Sequence, residues 1–207
     1  MRLFSNIISG MFHPLLMVTY GVVLALTFTY LAIYPPAMKL LLAGGAFLST
    51  AVIPGAFIFM MVKNGAAVDM ELSDRHERVV PYLIFITSTI MVCAFYMYKM
   101  MLPFWFISLL LGACVALILA LLINFFWKIS AHAIGTGGLL GGIMGVARIH
   151  LINPYWAFII VILIAGLVGT SRIFLKRHTP MQVYAGFCLG FICTFVASFL
   201  SYIYLFI

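Results

Sequence analysis

The sequence predicts an all-α integral-membrane helix bundle of six or seven spans. Three observations carry that expectation. The chain of 207 residues is 66% hydrophobic and only 7% charged, with a mean hydropathy of +1.26, which is the composition of a multispan membrane protein. Its apolar residues gather into stretches of about 20, the length that crosses a bilayer as a helix. The breaks between stretches carry helix punctuation, above all proline.

Taken in order, Met1 to Phe12 reads as a short interfacial lead-in and not as a cleavable signal: it carries one charge, Arg2, but the apolar stretch that follows runs too long and lacks a clear small-residue cleavage site. Spans are expected at about 13–34, 38–62, 80–99, 103–127, 133–150, 154–173 and 181–205. Pro35-Pro36 ends the first. Pro103 and Pro154 restart helices in their first turn, and Thr179-Pro180 does the same with Thr179 as N-cap. A re-entrant segment within 13–62 would make the total six. The fifth stretch is the least apolar, being crowded with Gly135, Gly137, Gly138, Gly141, Gly142 and Gly145. Glycines four apart let helix backbones approach closely, which places this helix at the centre of the bundle. Residues 1–62 form the N-terminal membrane helices, and residues 63–207 form the domain that carries nearly all the polar chemistry. Cys93, Cys114, Cys188 and Cys193 lie in apolar stretches and read as small buried hydrophobes, not as disulfides or zinc ligands. Trp105, Trp127, Tyr155, Trp156, Tyr202 and Tyr204 read as an interfacial aromatic belt. The net charge of +7 comes without a long basic run. That excludes nucleic acid as a partner and favours lipid headgroups or phosphate.

Charges in such a chain mark function, because each is expensive in a membrane. All four acidic residues, Asp69, Glu71, Asp74 and Glu77, fall in one segment with Lys63, Arg75, His76 and Arg78. A second polar knot is Lys128-Ile129-Ser130-Ala131-His132, and a third is Ser171-Arg172 with Lys176-Arg177-His178. An even number of expected crossings separates each pair of knots, so all three emerge on one membrane face. There Arg78 and Arg172 can offer planar forks to phosphate oxygens, with Arg75 and Lys128 as further donors. Ser130 and His132 open the fifth helix, whose N-terminal amides also favour an anion. Two histidines among cations suggest phosphoryl chemistry, in which one attacks phosphorus and the other protonates the leaving oxygen. His76 shows no ligand spacing, and no metal or cofactor is expected. His13 and His150 read as interfacial residues without a chemical role. Asp74, four before Arg78, is a helical ion-pair partner for it, and Lys176 and Arg177 read as headgroup anchors. Gln182 has two readings. It closes a Thr179-x-x-Gln182 capping box, or it orients His178.

The third knot resembles a known signature. Ser171-Arg172-(five residues)-His178 is similar to the start of SRxxxxxHxxxD, the third motif of the type 2 phosphatidic acid phosphatase superfamily. Ser130-Ala131-His132 resembles its second motif, PSGH, and Arg78-Val79-Val80-Pro81 resembles the end of its first, KxxxxxxRP. The resemblance spans about residues 63–190 and implies a type 2 phosphatidic acid phosphatase-like core. It implies that His178 is the nucleophile that forms a phosphohistidine and that His132 is the acid for the leaving group. Arg78 and Arg172 would hold the phosphate, with Ser130 as a hydrogen-bonding contact. The implied substrate is a phosphomonoester or diphosphate of a lipid or isoprenoid, hydrolysed without metal in an inner or plasma membrane on the face away from the cytoplasm. The distribution of basic residues argues the opposite orientation. The knot face carries Arg2, Lys63, Arg75, Arg78, Lys128, Arg172, Lys176 and Arg177, against Lys39, Lys99 and Arg148 on the other. Four departures stand beside the resemblance. Glu71 replaces the motif lysine, two valines separate Arg78 from Pro81, the second motif lacks its proline and glycine, and Gln182 replaces the aspartate that orients the nucleophilic histidine. The alternative to an enzyme is therefore a non-catalytic lipid-phosphate binding or transport protein on the same scaffold.

Overall fold

Prolines and small polar residues set most of the helix starts. The structure, a computed structural model, describes residues 2–72 and 74–204. Its first helices, α1 (Arg2–Met11) and α2 (Pro14–Phe28), are bent by 54° at Phe12-His13. Pro14 occupies the first turn of α2, where an N–H would have no helical partner in any case. His13 is the cap, its Nδ1 accepting from the Leu15 N–H at 3.4 Å. Helices α3 (Pro36–Phe47) and α4 (Ile53–Lys63) are joined without a break by a π turn, Leu48–Val52. Pro54 explains that turn. It has no N–H for the carbonyl one turn back and its ring crowds that carbonyl, so the helix widens just before it. The Thr50 hydroxyl of the π turn donates to the Leu15 carbonyl at 3.1 Å, and Ser88 donates to the Ser49 carbonyl at 2.6 Å. These bonds tie the turn to α2 and to α5 (Val79–Tyr98). The chain continues through α6 (Phe104–Asn124), α7 (Ala131–His150), α8 (Tyr155–Phe174) and α9 (Pro180–Tyr204). Pro103 and Pro154 sit at the N-cap positions of α6 and α8, one residue before the expected first turn.

The described residues contain helices and no strand. Among the described residues, five helices are long and apolar enough to cross a membrane: Pro36–Lys63, His76–Tyr98, Phe104–Asn124, Tyr155–Phe174 and Pro180–Ile203. The bent pair α1–α2 makes a sixth if it is one span. Helix α7, expected as a span, is as long as α8 but is not apolar enough to count among them. Its glycines explain both facts. They lower its hydropathy, and they let it bury itself in protein.

Helix α7 packs most extensively against α9, and also against α2 and α8. A methyl group at Gly137 would fall on the Phe187 carbonyl, at Gly141 on the Phe191 carbonyl, and at Gly190 on the Ile134 carbonyl. The two backbones therefore touch along a seam of glycines spaced four apart, which is the close approach the sequence predicts. Gly166 on α8 instead has open space beside it. Gly190→Ala is expected to destabilise the protein by about 1–3 kcal/mol through overpacking against backbone. Melting in detergent should show a clear drop for that variant and none for Gly166→Ala. Equal melting temperatures would contradict the seam.

Two expectations are corrected by packing. Trp105 does not belong to the aromatic belt. It is 2% exposed, its indole N–H donates to the Tyr30 hydroxyl at 3.0 Å, and its ring lies 4.6 Å from that of His150. His150, half-buried at the end of α7, packs on Trp105 and on the Tyr30 ring. Trp127, Tyr155, Trp156 and Tyr202 are exposed, and the Tyr204 side chain lies outside the described residues. Cys93, Cys114 and Cys193 are buried as free thiols, whereas Cys188 is exposed on α9.

Candidate anion site

The three polar knots meet at one end of the bundle. The end of α8 places the third. Lys176 adopts a left-handed φ of 55°, and the Arg177 and His178 N–H groups donate back to the Arg172 carbonyl at 3.1 and 3.4 Å. This Schellman-type closure folds His178 over the turn that carries Arg172. The first and second knots are joined by Arg78, whose Nε donates to the Leu72 carbonyl at 3.0 Å and whose Nη1 donates to the Ile129 carbonyl at 2.8 Å. The second and third are joined by the Ser130 N–H, which donates to the Gln182 carbonyl at 3.3 Å. The first and third are joined by an ion pair of 2.9 Å between Arg172 Nη2 and Glu71 Oε2.

Arg78, His132, Arg172 and His178 line one cavity of about 140 Å³ together with His13 and Glu71. That volume, taken along the whole cavity, is more than one water needs. All four are buried: Arg78 and His132 at 4% exposure, Arg172 at 3% and His178 at 7%. The two arginines differ in one respect. Arg78 is held by its two carbonyls, whereas Nε and Nη1 of Arg172 are buried without a hydrogen-bond partner. Orphaned N–H groups on a buried cation are costly, and an anion in the cavity would relieve them.

His178 Nδ1 lies 3.1 Å from Gln182 Oε1. Only the ring can donate in that pair, so Nδ1 carries the proton and the Nε2 lone pair is left. The same Oε1 accepts from the Thr179 N–H at 3.1 Å, and the Thr179 hydroxyl accepts from the Gln182 N–H at 3.4 Å. Both readings of Gln182 therefore hold at once. It closes the capping box at the start of α9, and it orients the His178 ring. Burial first, and then the Arg78 charge, push His178 down to about 3, against the pull of the Gln182 bond. The ring is a neutral base at ordinary pH. His132 Nε2 lies 3.2 Å from the Ser9 carbonyl, which can only accept, so that nitrogen carries a proton and Nδ1 is the remaining basic position of the neutral ring.

His13 departs from its expected role. Its ring stands 5.4 Å from that of His132, and it lines the cavity. The one local signal in the sequence, a His-Pro helix start, marks the bend and gives no hint of where the ring goes.

Three other candidates lie outside the cavity wall. Ser130 is buried and caps α7, its hydroxyl accepting from the Ala133 N–H at 3.4 Å. Arg75 is half-buried, and its carbonyl accepts from Asn124 Nδ2 at 2.6 Å. Lys128 is also half-buried. Burial, then the charges of Arg78, Arg172 and Arg177, push its ammonium below its ordinary value. Asp74 does not pair with Arg78. Residues His76–Arg78 form a 3₁₀ turn, which breaks the α-helical spacing, and Asp74 Oδ1 accepts from the His76 N–H at 3.0 Å. Arg177 is more than a headgroup anchor, lying 3.6 Å from both Asp69 and Glu71. Among the described residues no group of three or more His, Cys, Asp or Glu side chains is placed to hold a metal ion.

No family model, curated protein or solved structure matches the chain.

Proposed function

We propose that the protein is a membrane lipid phosphatase-like hydrolase that cleaves a phosphomonoester or diphosphate of a lipid or isoprenoid. The convergence of Arg78, Arg172, His132 and His178 on one cavity carries this reading. Arg172 and Arg78 hold the phosphate oxygens. His178 Nε2 attacks phosphorus as the bond from phosphorus to the leaving oxygen breaks, and His132, having taken a proton at Nδ1 from the substrate's phosphate monoanion, gives it to that oxygen. Water then attacks the phosphohistidine and passes a proton to His132. The phosphorus–nitrogen bond breaks, and inorganic phosphate leaves.

A lipid substrate is favoured by the rest of the wall. It runs from His13 along α2 through Met17, Val22 and Ala25 to Phe28, faced by Leu110 of α6 and by Leu139 and Val146 of α7. That is an apolar path about 20 Å long at 1.5 Å per helical residue. A recess between Leu16, Phe47 and Val52 shares His13, Leu15, Ile58 and Met70 with it, which supports lateral entry from the bilayer. The family resemblance orients the cavity away from the cytoplasm, in an inner or plasma membrane.

A second reading is non-catalytic lipid-phosphate binding or transport. It is favoured by Gln182, whose neutral oxygen leaves the ring without a charged partner. The test is phosphate release by the purified protein, with chelator present, from phosphatidate, phosphatidylglycerophosphate and an isoprenyl diphosphate. Turnover of any of them is the expected result. Saturable binding without turnover would select the second reading, and neither binding nor turnover would remove both.

A further inference from the structure

We propose that Glu71 is an internal stand-in for the ligand's phosphate. Its carboxylate occupies the place on Arg172 that phosphate oxygens take, and the ligand expels it together with the loop that bears it. The inference rests on the reading of the cavity as a phosphate site.

Arg172 is buried, and a buried cation needs a partner at all times. Glu71 supplies it in the ligand-free protein, but incompletely. The pair is made through Nη2 alone, at 2.9 Å, and leaves Nε and Nη1 without partners. A guanidinium offers five donors in a fixed fork, and a tetrahedral phosphate can meet two edges where this carboxylate meets one. Carboxylate and phosphate cannot share the position, because like charges at contact distance repel strongly in a site screened from water.

The loop is suited to the exchange. Glu71 lies between α4 and α5, its side chain 29% exposed against 4% for Arg172, so the carboxylate can reach water where the guanidinium cannot. Met70, Glu71 and Leu72 form part of the cavity wall, and their withdrawal would open it. Arg177, with its side chain 43% exposed, already lies 3.6 Å from the same Glu71 oxygen and 3.6 Å from Asp69. It can keep the expelled carboxylate paired at the surface. The loop's amides are held by local bonds, the Glu71 N–H to Asp69 Oδ1 at 3.1 Å, the Leu72 N–H to the Asp69 carbonyl at 3.1 Å and the Val68 N–H to Glu77 Oε1 at 3.0 Å. Its withdrawal must also release the Leu72 carbonyl from Arg78 Nε, a bond of 3.0 Å. Position 71 thus sets a threshold. Only an anion that pairs with Arg172 better than a tethered carboxylate does will occupy the cavity.

The experiment is calorimetric titration of the full-length protein in detergent with inorganic phosphate, for wild type and Glu71→Gln. Removing the competitor is expected to tighten phosphate binding by about tenfold or more, which is about 1.4 kcal/mol. Equal or weaker binding by the variant, with wild type still binding, overturns the role of Glu71 and leaves the phosphate site standing. Absence of binding by both proteins overturns the phosphate site itself, and this inference with it. Should Glu71→Gln not fold, hydrogen exchange on the wild type decides. Phosphate is expected to speed exchange at the Glu71 and Leu72 amides as the loop leaves, and unchanged or slower exchange there overturns the proposal.

Discussion

His178→Ala lowers phosphate release by about 10⁴-fold or more, to the background rate, while phosphate affinity stays within a few-fold of wild type. The two halves of this expectation have separate causes. Turnover falls because the cavity has no substitute nucleophile. Arg78 and Arg172 are permanent cations, His132 serves as the acid, His13 has its Nδ1 engaged by the Leu15 N–H, and Glu71 is paired with Arg172. Affinity survives because the His178 ring is neutral, held at about 3 by burial and by the Arg78 charge. Its removal takes no positive charge from the phosphate. Single-turnover release and equilibrium binding of the same substrate, measured side by side, check both halves. Unchanged turnover in the variant would exclude His178 as the nucleophile. A large loss of affinity would mean instead that the ring acts as a phosphate-binding cation.

Gln182→Glu raises turnover, by about 10²- to 10⁴-fold if the loss of a charged orienting partner is as damaging here as it is in serine-protease triads. Glutamate is the informative substitution because the contact is made by Oε1. An isosteric carboxylate keeps the 3.1 Å reach to His178 Nδ1 and to the Thr179 N–H, and glutamate serves a capping box as well as glutamine does. Aspartate is one methylene shorter and gives up that reach, so Gln182→Asp is expected to gain less. The charge acts on the step that makes the ring positive, the formation of the phosphohistidine. It also moves the titration. In wild type the folded ring sits at about 3 against an ordinary 6.5, so the unfolded chain binds the proton more readily. Stability is then full above about 6.5 and is lost as pH falls through that window toward 3. In Gln182→Glu the carboxylate raises the folded value, and the acid-side loss shrinks. Histidine NMR and melting curves between pH 4 and 7 (a range set by these two values) read the shift directly. No gain in turnover, with the shift present, would favour the binding protein over the enzyme.

The legibility of the site differs residue by residue. Arg78, His132, Arg172 and His178 were legible because each lies next to a helix end in a polar knot, and the parity of crossings put the knots on one face. Ser130 was legible as a residue that opens α7, but its hydroxyl serves the Ala133 N–H. A cap and a ligand contact need the same residue type at the same place, and only the direction of the oxygen separates them. Asp74 was misread because the expected α-helical spacing to Arg78 presumes a helix, whereas the chain forms a 3₁₀ turn there. His13 carried no motif at all, and its approach to His132 depends on a bend between α1 and α2.

The sequence by itself determined the all-α class with helices apolar enough to cross a membrane, most of the helix limits from residue 36 onward, and the closeness of α7 to its neighbours, but not that α1 is a helix or that α2 ends at Phe28. Each feature it determined is local. Apolar length, proline geometry and glycine spacing act within a helix or across one contact. The tertiary structure alone decided that Glu71 pairs with Arg172 across 101 positions of chain. It alone decided that Trp105 is interior and that Gln182 serves both a backbone cap and a histidine ring. Those outcomes depend on which side chains a buried cation or ring finds when the bundle closes. A buried polar group that is paired finds its partner among neighbours in space, whatever their order in the chain.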